Sequence, residues 1–180
     1  MPREDHAAPA DSAQRRQAII AHMAEAQRLA ALEGIRDVFR PGFLRQLIVS
    51  DALGHRPCNS WRDGPCDAYD PNDPERRFEY FAASDGKRFQ AGVVRRSDWE
   101  AKKQSLYERF EKTAAVYFAV FDIQEPLKLL RIYQIDAEAF RATVERQITV
   151  SKSSVVNASF SERWAMIMGQ LVYTVQSPAP

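Results

Sequence analysis

The chain has 180 residues, with 25 Lys and Arg against 24 Asp and Glu, so its formal charge is +1. That size suits one domain, and a 45% hydrophobic content is enough for a core, which excludes wholesale disorder. A mean hydropathy of −0.44 and the lack of any apolar run near the ~20 residues of a spanning helix exclude a helical membrane protein, and the near-neutral balance excludes nucleic-acid binding by bulk positive charge.

Residues 1–11 are small, polar and Pro-containing, and read as a disordered N-terminus without the apolar stretch of a secretory signal. From Asp11 to Gly34 the pattern is helical, with Asp11 or Ser12 able to cap and Ile19, Met23, Ala26 and Ala30 on one face. Arg40-Pro41 opens a second helix to about Leu53, with Phe43/Leu47 and Leu44/Ile48 as i,i+4 pairs and Gly54 as its stop. Residues 56–75 are rich in turn formers and read as loops and short strands.

Phe78–Ala83 reads as a strand, Asp85-Gly86 as a hairpin turn, and Arg88–Val94 as the partner strand. Ser97-Asp98 caps a helix to about Lys112. The apolar run Ala115–Phe121 suits a strand buried on both faces. Leu127–Ile135 reads as the next strand, and Asp136 caps a helix through about Gln147. Ser153–Ala158 reads as a short strand, Ser161 caps a last helix through Leu171, and 176–180 form a tail.

The order predicts an α/β fold, a mixed central sheet flanked by helices. Residues 12–175 form a single domain, with 12–34 a helical extension. Cys58 and Cys66, with seven residues between them, read as two reduced thiols of a cytoplasmic protein, with a disulfide as the alternative. With His55 they match no zinc spacing. His55 itself, at the end of a helix, reads as structural, a protonated ring suited to the helix dipole. Trp61 and Trp99 read as packing residues, with base stacking the alternative.

Charge is uneven along the chain. Between Asp63 and Glu79 six acids face two bases, a local charge of −4. Asp67 and Glu79 stand twelve residues apart on neighbouring strands. Two carboxylates so placed can hold a hard divalent cation, with water and substrate phosphate completing its shell. Asp70 is a further candidate ligand. The plain alternative is a solvated acidic loop. Lys87–Lys112 carries eight bases and four acids, or +4. Arg88, Arg95, Arg96, Lys102 and Lys103 there are candidate DNA contacts, since cations beside an acidic pocket are what phosphodiester recognition requires. The plain alternative is a solvated helix face with pairs such as Glu108–Lys112. No P-loop, dinucleotide fingerprint or GxSxG occurs, so no nucleotide cofactor is expected.

Five stretches carry a resemblance: the helix RPGFLRQLIVSDALGH (40–55), the strands DGPCDAYD and RFEYF, and the later strands AVYFAVFD and LKLLRIYQID. In this order, over about residues 35–136, they resemble the restriction-endonuclease-like fold of PD-(D/E)xK nucleases. The resemblance implies Asp67 and Glu79 as catalytic metal ligands, Mg²⁺ as the cofactor with Mn²⁺ as a substitute, double-stranded DNA as the substrate, and a homodimer matched to the duplex. The chain departs from the family where it has Glu-x-Lys, because here Glu79-Tyr80-Phe81 ends in an aromatic residue. Another side chain then serves, with Lys87 and Gln90 the candidates, or the metal suffices, or the fold binds DNA without cutting it. A second departure is Gln46, where related helices often carry Glu.

Overall fold

The computed structural model describes residues 9–58 and 66–175, without the side chains of residues 9–11, 93, 94, 96, 105 and 106. The expected tail 176–180, Trp61 and most of the expected disordered N-terminus lie outside the described residues. The chain divides into two compact units, residues 1–43 and 44–180.

In the first unit α1 spans Pro9–Leu32, beginning within the stretch read as disordered. Of its expected apolar face Ala30 is buried, whereas Ile19 and Met23 are exposed. The helix ends through Gly34, whose φ of 75° suits a residue without a Cβ. Gln27 ties the following turn to the helix. Its Nε2 donates to the Arg36 carbonyl at 2.8 Å, and its Oε1 accepts from the Val38 N–H at 3.2 Å.

The second unit is built on a six-stranded mixed sheet. Helix α2, Phe43–Leu53, straddles the boundary and leads into β1 (Arg56–Pro57), β2 (Ala68–Asp70) and the long β3 (Asp73–Ser84). Then follow β4 (Phe89–Arg95), a 3-10 turn at Arg96–Asp98, and α3 (Trp99–Glu111). Strands β5 (Thr113–Phe121) and β6 (Leu129–Ile135) precede α4 (Ala137–Val150). The chain closes with β7 (Val155–Phe160), α5 (Glu162–Met168) and β8 (Gly169–Thr174). The large sheet has the order β1-β2-β3-β5-β6-β8, and β4 and β7 form a separate antiparallel pair. Among the described residues only the β3–β5 pairing is parallel, and β4 with α3 makes the long crossover it requires.

The expected mixed sheet with helices is therefore present, and β5 is its buried central strand. Alternation along β3 and β5 sorts their side chains onto two faces. Phe78, Tyr80, Tyr117, Ala119 and Phe121 pack with Val49 of α2. Val116, Phe118 and Val120 pack on the opposite face with Phe110, Phe140, Phe160 and Ala165.

Three expectations are corrected. Arg88–Val94 is not the hairpin partner of Phe78–Ala83. Asp85 and Gly86 do turn the chain, but β3 already pairs with β2 on one side and β5 on the other, so β4 pairs with β7. The last helix stops at Met168 instead of reaching Leu171, because Gly169 starts strand β8 against β6. The approach there is so close that a Cβ at Gly169 would collide with the Gln134 carbonyl oxygen and Ile135 Cδ1. Finally, Cys58 and Cys66 form a disulfide rather than two thiols. Pairing of Arg56–Pro57 with Ala68–Tyr69, extended by a bond from the Cys58 N–H to the Asp67 carbonyl, brings their Cα atoms to 6.0 Å, within bridging range.

Candidate metal and phosphate site

Asp67 lies in the bend just before β2, directly after the disulfide. Ala68 pairs with Phe78, and both are buried on the α2 face of the sheet. Glu79, beside Phe78, alternates to the other face, while Asp67, beside Ala68, lies just outside the strand. The backbone fixes the Asp67 carboxylate from one side, since the Tyr80 N–H donates to Oδ2 at 2.8 Å. From the other side Gln46 of α2 donates its Nε2–H to Oδ1 at 2.7 Å. Gln46 thus supports the candidate ligand as a neutral donor, where a Glu would have brought a second negative charge.

Glu79 is 1% exposed, a carboxyl group inside the fold. Its partner is Arg109 of α3, which donates from Nε at 2.6 Å and also from Nη2, in a bidentate pair. The Arg109 side chain as a whole is 45% exposed, against 1% for Glu79. Burial raises the Glu79 carboxyl to about 7, although the Arg109 hydrogen bond and charge pull it down. Asp67 raises it further, both by its charge and as a hydrogen-bond partner. The two carboxyl groups therefore converge, close enough for the Asp67 carboxylate to raise the Glu79 pKa.

The remaining candidates are dispersed. Asp70 closes β2, accepts from the Asn72 N–H at 2.9 Å and lies 3.7 Å from Arg76. Lys87 and Gln90 are exposed, and Gln90 stands opposite Ser159 in the β4–β7 ladder. Among the described residues no hydrogen bond joins either to Glu79. Phe81, on the same side of β3 as Glu79, packs on Phe140 with centroids 5.0 Å apart and edge-on to Phe118, so the position where the resemblance expects a lysine is an aromatic side chain packed against the core.

Arg88 is held by β7, donating to the Ser159 hydroxyl and carbonyl at 3.0 Å each. Lys103 pairs with Glu145 of α4 at 2.6 Å. Arg95 and Lys102 are exposed, and the Arg96 side chain lies outside the described residues. Trp99 is buried, as read for packing.

Among the described residues no group of three or more His, Cys, Asp and Glu side chains gathers. Asp67 and Glu79 are a pair. A pair fits Mg²⁺, which keeps much of its water and takes one or two protein carboxylates. Arg109 is the site residue that sequence reasoning passed over. In the sequence it is one of the eight bases of 87–112, and the burial of Phe110 beside it turns that flank of α3 toward the sheet. No protein-family model matches the chain, and a search of curated proteins finds no match.

Proposed function

We propose that this protein is a Mg²⁺-dependent endodeoxyribonuclease of restriction type, hydrolysing phosphodiester bonds in duplex DNA, on a restriction-endonuclease-like core. The observation that carries the reading is the convergence of Asp67 and Glu79, one of them buried and the other steered by Gln46 and the Tyr80 N–H. Asp67 and Glu79 would hold the ion, and Mn²⁺ would substitute. A bound Mg²⁺ supplies an activated water and offsets charge at the phosphate. The chain's own groups orient the ligands: Gln46 sets the rotation of the Asp67 carboxylate, and the sheet keeps solvent from Glu79. Exposed Arg95 and Lys102, with Arg88 and Lys103 near them in sequence, supply phosphate contacts.

A homodimer, matching the twofold of the duplex, completes the reading. The edge strand β8 supports it, because it carries no charged residue and exposes Leu171 and Val172 beside Met166 and Ile167 of α5. Among the described residues no helix is long and apolar enough to cross a membrane. The cytoplasm is the compartment this substrate implies, and the Cys58–Cys66 disulfide is the observation that weighs against it.

The second reading is a nuclease-fold module that binds DNA or a protein partner without cutting. It is favoured by Phe81, which leaves no lysine on β3 beside Glu79. Cleavage of mixed-sequence DNA with Mg²⁺ or Mn²⁺ by the wild-type chain, lost in Asp67→Ala, is the expected result. Salt-sensitive DNA binding with no cleavage by either protein would favour the second reading, and no DNA binding at low salt would overturn the nuclease.

A further inference from the structure

We propose that Arg109 is an exchangeable cation of this site: it neutralises Glu79 in the free protein and passes to a DNA phosphate when a divalent ion takes Glu79. The inference rests on the nuclease reading and adds a role that neither Lys87 nor Gln90 fills. Three observations lead to it. Glu79 is 1% exposed and commits both oxygens to Arg109. A buried carboxylate needs a counter-charge, and this guanidinium is the cation hydrogen-bonded to it. Any ion that ligates Glu79 therefore competes with Arg109.

The second observation is where the competitor sits. Arg109 lies in the last turn of α3, with Phe110 buried next to it and its carbonyl accepting from Thr113 Oγ1 at 3.0 Å. The backbone is thus anchored while 45% of the side chain faces solvent. Such an arm is tethered at its base, and its tip can turn elsewhere once the Glu79 pair opens. The third is chemical. A guanidinium has five donors, and the Glu79 pair uses two nitrogens, leaving Nη1 outside those two bonds. Its planar fork matches phosphate as well as carboxylate. Phe81 has left its position on β3 without a cation, and Arg109 is, among the described residues, the cation hydrogen-bonded to Glu79.

The handover makes metal and DNA help each other. Metal alone must displace Arg109 from Glu79. With DNA present, the displaced guanidinium finds a phosphate, and the displacement costs less. By linkage each ligand then tightens the other.

The test titrates Mn²⁺ against the wild-type chain, Arg109→Gln and Arg109→Lys, with and without sheared duplex DNA, reading the EPR signal of the free ion. Without DNA, Arg109→Gln is expected to bind Mn²⁺ about tenfold more tightly, since a charged hydrogen-bonded competitor worth ~1.4 kcal/mol is gone. DNA is expected to tighten Mn²⁺ binding by the wild-type chain and to leave Arg109→Gln unchanged, which a mere loss of positive charge near the site does not produce. Arg109→Lys keeps the charge without the fork and falls between the two. It also carries the comparison if thermal melting shows that Arg109→Gln does not fold.

Equal or weaker Mn²⁺ binding by Arg109→Gln without DNA, or an undiminished response to DNA, overturns the handover. In either case DNA cleavage by the wild-type chain leaves the nuclease reading standing. Absence of Mn²⁺ binding by the wild-type chain, with and without DNA, overturns both.

Discussion

Just past α2 the imidazole of His55 lies on the Phe78 ring, with centroids 4.0 Å apart, and its Nδ1 is 2.8 Å from the Tyr80 hydroxyl. Burial lowers its pKa from the usual value, Asp70 pulls the other way, and Arg76 adds to the lowering. Burial thus favours the neutral ring, against the reading of a protonated helix-end histidine. The charged groups that face it are Asp70 of β2 and Arg76 of β3, with the hydroxyls of Tyr80 and Tyr117 beside it. Because the folded pKa lies below the unfolded one, the unfolded chain takes up the proton first as pH falls. The contribution of His55 is complete above its unfolded pKa, near 6.5, and is lost as pH falls from there through its folded pKa. Wild-type stability in urea is expected to fall more between about pH 7 and pH 5 than that of His55→Phe, which keeps the stack and cannot titrate. Equal slopes would show that another group sets the pH response. At this scale Asp67 and Glu79 were legible as a pair because both lie in a strongly acidic stretch and flank a strand of clear alternation. Arg109 was not, because one base among the eight of residues 87–112 carries no mark of its partner, and the β3–β5 crossover is what sets α3 beside Glu79.

The elements are locked by an aromatic layer centred on Phe118 of β5. Its fully buried ring is 4.6 Å from Phe89 of β4, 5.3 Å from Phe160 of β7 and 5.6 Å from Trp164 of α5, and it meets Phe81 edge-on at 5.5 Å. One side chain thereby joins the large sheet to the β4–β7 pair and to α5. Phe118→Ala removes all four contacts and leaves a cavity that this close-packed layer cannot collapse. The expected loss is about 3–5 kcal/mol, read by urea unfolding. A loss under about 1 kcal/mol would mean that the layer repacks. The same layer explains why some elements could be read in sequence and others not. The apolar run of β5 announces a strand buried on both faces, and Asp136 announces α4, where its Oδ1 accepts from the Ala139 N–H at 2.8 Å. The partner of β4 lies sixty residues or more away, and a turn signal such as Asp85-Gly86 reports only that the chain reverses, not which strand is left unpaired. Strand β8 was hidden for a related reason. Leu171 and Val172 suit a helix as well as a strand, and the close approach that makes Gly169 the boundary is a tertiary contact.

Over the whole molecule the disulfide is the feature that ties stability to the site. It closes the loop between Cys58 and Cys66, and the Cys58 N–H bond to the Asp67 carbonyl carries that closure to the candidate ligand. A loop of this length restricts the unfolded chain enough to stabilise the fold by about 2–3 kcal/mol. The prediction compares the wild-type chain with a Cys58→Ser, Cys66→Ser double variant in urea, each with and without reductant. Reductant is expected to lower wild-type stability to that of the double variant and to leave the double variant unchanged. If the site reading is right, the same treatment weakens Mn²⁺ binding, because the residue preceding Asp67 is then no longer held. A wild-type chain indifferent to reductant would mean that the thiols are reduced in solution, and the Asp67 bend would then rest on the β1–β2 pairing, the Tyr80 N–H and Gln46.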